Sequence, residues 1–66
     1  MYKDVGKTIY GRNKACKGVI NNMTQRWCAG CQANRLVYSV RWDNGRHTFP
    51  CPAGCKDNAD GSIEIV

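Results

Sequence analysis

The chain contains no apolar run approaching the roughly 18 residues that a membrane-spanning helix needs. Its first eleven residues, "MYKDVGKTIYG", lack the apolar core of a signal peptide. Read as complete from Met1, it is expected to be cytoplasmic, and its size would suit a bacterial or phage-encoded protein. Acidic residues are also scarce, five against ten Lys/Arg, and histidine occurs once. With no paired carboxylates and no nucleophile–base combination, a stand-alone enzyme is not expected. Uninterrupted helical windows are missing too. Glycines at 6, 11, 18, 30, 45, 54 and 61 break almost every stretch long enough for a helix.

The remaining pattern is that of short strands between turns, in a chain of 66 residues that allows a single domain, 1–66. In "RLVYSVRWDNGRHTF", Leu36, Tyr38, Val40 and Trp42 alternate with Val37, Ser39 and Arg41, the period of a strand with one buried face. Asn44-Gly45 predicts a two-residue type I′ hairpin turn. That turn would set Trp42 opposite His47, Val40 opposite Phe49 and Tyr38 opposite Cys51, with Phe49 in the core. "VGKTIYG" and "KGVINNM" predict two shorter strands, separated by the basic loop "GRNKACKG". "GSIEIV" predicts a last strand, entered through a turn at Asp60-Gly61. The expected fold is all-β: five strands in a small barrel or a meander sheet.

So small a domain buries little apolar surface, and a covalent or metal staple is expected. There are five cysteines, an odd number that suits reduced thiols or a metal better than a disulfide framework. Four of them follow the spacing Cys28-x₂-Cys31-x₁₉-Cys51-x₃-Cys55. Two closely spaced pairs, carried to one end by a hairpin, are the arrangement by which a zinc ribbon gathers four tetrahedral ligands. Structural Zn²⁺ on Cys28, Cys31, Cys51 and Cys55 is therefore expected, with Cys16 as an alternative ligand. The segment "RWCAGC" also resembles a thiol redox motif. That chemistry needs a helix following the first cysteine to lower its pKa, and none is predicted here. A thiol redox protein is the minor alternative.

"VGKTIYG", "KGVI" and "VYSVRWDNGRHTF" together resemble the strands of SH3-like small barrels of the KOW or Tudor kind. The resemblance covers most of the chain and departs from the family at the cysteines. It implies a module that binds nucleic acid or protein, without choosing between them.

Charge favours an anionic partner. Residues 1–50 carry nine Lys/Arg against Asp4 and Asp43, a net +7, while 51–66 carry a net −2. Arg12, Lys14 and Lys17 form a basic loop suited to phosphate contact, and Arg26, Arg35 and Arg41 extend the patch. Tyr10 or Trp27 would offer a stacking surface. Such charges also serve simply to keep a small domain soluble. The expected role is DNA or RNA binding, in transcription or nucleic-acid metabolism. The alternative is a protein-binding adaptor or inhibitor that docks on a larger host enzyme.

Overall fold

Alternation and turn chemistry decide most of the architecture. The computed structural model describes residues 2–66, which form six strands and two short 3-10 turns. The strands are β1 (Thr8–Tyr10), β2 (Lys17–Cys28), β3 (Ala33–Trp42), β4 (His47–Thr48), β5 (Cys55–Asp57) and β6 (Ile63–Ile65). They make one sheet in the order β4-β3-β2-β1-β6-β5, parallel only between β1 and β6. β4 and β5 lie at its two ends and do not pair, so the sheet is open. Of the two expected five-stranded arrangements, barrel or meander sheet, the closed barrel is corrected to an open sheet, and the strand count to six. The additional strand is Cys55–Asp57. A 3-10 turn at Pro52–Gly54 reverses the chain there and lets it form a hairpin with β6. β4 is only two residues long, because Pro50 and Pro52 follow closely and bring no N–H to a ladder.

The hairpin of β2 and β3 dominates the sheet. Twelve residues of straight strand would run about 40 Å. The longest dimension of the molecule is 29 Å, so β2 must coil. Its pairing with β3 shifts between Ile20 and Asn22, where Asn21 is bulged out. The extra residue inverts the alternation: Gly18 and Ile20 face the core before it, Met23 after it. The core comprises Ile9, Ile20, Tyr38, Val40, Trp42 and Ile63, with Cys16, Met23, Cys55 and Ile65 packed against it.

At the β3–β4 turn the expected register is wrong by one residue. Gly45 N–H donates to Trp42 O (3.0 Å) and Trp42 N–H to Arg46 O (2.8 Å), enclosing a three-residue loop. Only Gly45 is left-handed there (φ 87°), and Asn44 is not. This is a type I turn closed by a bulged glycine in place of the type I′ turn. Every partner moves by one: Val40 faces Thr48 and Arg41 faces His47. Because the side-chain period is two, Phe49 leaves the core and is 36% exposed. His47 does not lie beside Trp42. Its Nε2 is 2.7 Å from Ser39 Oγ, and the Trp42 indole donates to Thr48 Oγ1 (2.6 Å).

The segment before β1 is tied to β3 through Asp4. Tyr38 OH donates to Asp4 Oδ2 (2.8 Å), and Lys7 Nζ lies 3.0 Å from Oδ1. Burial alone would raise this carboxyl, but Lys7 and Tyr38 together hold it below the ordinary carboxylate value.

Candidate metal centre and basic face

The far end of the β2–β3 hairpin carries the cysteines. Cys28 is the last residue of β2 and pairs with Ala33, so residues 29–32 form the turn. The left-handed residue that closes it is Gln32 (φ 53°), not Gly30. The chain leaving β4 runs alongside β3, where Tyr38 N–H donates to Pro50 O (3.1 Å), and delivers Cys51 to the same end. The sulfurs of Cys28, Cys31 and Cys51 all lie within 4.8 Å of one another, Cys31 and Cys51 at 3.8 Å. This trio can hold a metal ion.

Two of its thiols are shifted in opposite directions. The backbone N–H of Cys31, and then its thiol, hold Cys28 below the usual thiol range. Cys31, facing the sulfurs of Cys28 and Cys51, is held above it. Arg35 Nη1 donates to Cys31 Sγ at 3.6 Å. No helix follows Cys28, so the dipole that lowers a redox thiol's pKa is missing.

The other two cysteines stand apart from the trio. Cys55 begins β5 opposite Ile65, its sulfur donates to Cys51 O at 3.5 Å, and it packs against the core. Burial, then Cys51 and Asp57, push its thiol up to about 11. The chain reverses after Cys51 and carries Cys55 into β5, away from the hairpin tip where Trp27 pairs with Asn34. Cys16 is packed against the core beside Gly11, where a Cβ would come within 2.5 Å of its sulfur.

The expected basic residues divide between two places. Cross-strand partners share a face, so the register puts Tyr10 with Lys17, Val19 with Arg41 and Arg26 with Arg35 on the face turned away from the core. Lys14 Nζ lies 5.6 Å above the Tyr10 ring on the same side. Arg12 does not join them. It lines a groove of about 330 Å³ with Arg46, Asn44 and Cys16. Sequence reasoning missed two members of the outer face. Phe49 stacks on His47 (centroids 5.1 Å apart) and lies beneath the Arg26 guanidinium (4.1 Å). Only the correct hairpin register would have found them. Trp27, named with Tyr10 as a candidate stacking surface, is 64% exposed.

No family model, no curated protein and no solved structure matches this chain. What the fold and site define is a small all-β sheet with a three-cysteine cluster able to hold a metal.

Proposed function

We propose that this chain is a zinc-stapled β module that binds nucleic acid through the outer face of β2, β3 and β4. The observation that carries the reading is charge. Lys17, Arg26, Arg35 and Arg41 are all exposed on that face, and these three strands contain no Asp or Glu. The one ion pair among the described residues, Lys7–Asp4, lies elsewhere, so these four cations are free to meet phosphates. The antiparallel run β1-β2-β3-β4 is consistent with a relationship to SH3-like small barrels. No base-reading motif is present, and the binding we infer is backbone-directed.

Zinc is the proposed ion because its geometry fits. Two thiolates at about 2.3 Å from a tetrahedral Zn²⁺ lie about 3.8 Å apart, the separation of Cys31 and Cys51. Cys28, Cys31 and Cys51 would supply three ligands, and Cys55, turned to the Cys51 carbonyl and the core, would leave the fourth position to a water. The role of the metal is structural: it fastens residues 50–51 to the hairpin tip and so holds Phe49 under Arg26.

Titration of the zinc-loaded protein with a mixed-sequence oligonucleotide at several salt concentrations tests the reading. Binding that weakens linearly in log–log form, with a slope near −0.7 to −0.9 per phosphate contacted, is expected. Absence of binding at low salt refutes it. Docking of a partner strand on the open edge at β5 is the competing use of this sheet. Capture of a protein that survives nuclease treatment, with no oligonucleotide binding, would favour it.

A further inference from the structure

At the cysteine-bearing end of the hairpin, two features are left without a counter-charge or a cover. The first is a pair of like charges. Arg26 and Arg35 are direct cross-strand partners on the outer face, both exposed, with no carboxylate paired to either. Directly opposed like charges destabilise a sheet. Their other contacts, the Phe49 ring and the Cys31 sulfur, position the guanidinium groups without neutralising them. The second is Trp27, next to Arg26 on β2 but on the opposite face, the largest side chain in the molecule left mostly in water.

What joins them is the strand edge. Among the described residues, β2 beyond Ile20 pairs only with β3, so residues 22–28 present a bare edge between the two arginines on one side and the indole on the other. We infer that an unpaired nucleic-acid strand crosses this edge, with a phosphate held by Arg26 and Arg35 and a neighbouring base stacked on Trp27. The planar fork of arginine matches phosphate oxygens, and two facing forks match one phosphate. An exposed indole accepts any base face. In a duplex the base faces are covered by their own stack, so Trp27 can be used only by an unpaired strand. This inference rests on the nucleic-acid reading above and narrows it to single strands.

Tryptophan fluorescence separates the two. Trp42 is buried in the core, so quenching by a ligand reports Trp27. The zinc-loaded chain is titrated with oligo(dT), with a duplex of mixed sequence, and with poly-glutamate as a purely anionic control. Preference for oligo(dT), with quenching, is expected. Trp27→Ala should abolish the quenching and weaken binding about five- to hundredfold, while leaving zinc stoichiometry and the Trp42-reported melt unchanged. Arg26→Gln with Arg35→Gln, which together remove the one shared phosphate contact, should lower the salt slope by about one. Equal binding of duplex and single strand, with Trp27→Ala neutral, overturns the inference and leaves the broader reading standing. Poly-glutamate binding as tightly as oligo(dT) overturns the inference as well. No oligonucleotide binding at low salt overturns both.

Discussion

Replacing each cysteine by serine tests how this domain is held together. With a metal bound, the trio would fasten the chain leaving β4 to the tip of the β2–β3 hairpin. The core is small, with seven buried apolar side chains among the described residues, so a ligand that binds only the folded state should add visibly to stability. Free Zn²⁺ at about a thousand times its dissociation constant contributes about 4 kcal/mol. For a domain of this length each kcal/mol moves the melting temperature by about 4–8 °C. The wild-type protein should therefore melt about 16–32 °C higher with zinc than with a chelator. Cys28→Ser, Cys31→Ser and Cys51→Ser should each lose most of that increment. Cys16→Ser and Cys55→Ser should keep it, although both are less stable without metal because their sulfurs pack on the core. The assay is a thermal melt followed by Trp42 fluorescence, with zinc stoichiometry from native mass spectrometry. If Cys55→Ser loses the increment as fully as Cys51→Ser, the ligand set is four cysteines and the three-cysteine reasoning is wrong. If wild type melts at one temperature with and without chelator, there is no metal staple at all.

Two further outcomes test the fold itself. A Cβ at Gly18 would lie 2.8 Å from Arg41 O and 2.9 Å from Trp42 Cε3, so Gly18→Ala should cost about 1–3 kcal/mol, read as a lower urea midpoint. The Asp4 carboxyl is held below its ordinary value of 3.8, so its contribution is present above that pH and lost as pH falls through the folded-state value. With chelator present throughout, wild type should lose stability below about pH 4, and Asp4→Asn should show a shallower acid limb and a lower melting temperature at pH 7.

Much of the scaffold is legible in the sequence because it depends on local chemistry. The alternation from Leu36 to Trp42 gives β3, the glycine-flanked apolar triplets give β1 and the start of β2, and Asp60-Gly61 gives the turn into β6. The cysteine cluster is legible in part: C-x₂-C on a hairpin tip converges whatever surrounds it. Cys55 is not, since its position depends on where the chain turns after Cys51. A spacing of three residues between cysteines does not distinguish a knuckle from a strand start. The Asn21 bulge leaves no signal, because any residue in "INNM" can occupy it. Without it, Asn22 would face the core and Met23 the solvent.

The largest misreading and the proposed binding face come from the same residue. Asn44-Gly45 suits both a two-residue type I′ turn and a three-residue turn with a bulged glycine, and the choice moves every later residue to the other face. Trp42 settles it. In the observed register its indole N–H meets the Thr48 hydroxyl. In the alternative Thr48 would face Arg41 and the buried indole would lose that partner, a cost of about 1–3 kcal/mol. The compensation offered by burying Phe49 is of similar size, about 1.5–3 kcal/mol. In the observed register Phe49 retains part of it, because His47 and Arg26 cover its ring. The hydroxyl at position 48 therefore turns the phenylalanine outward. It also gives Arg26, on a strand the turn never touches, the support that holds it opposite Arg35.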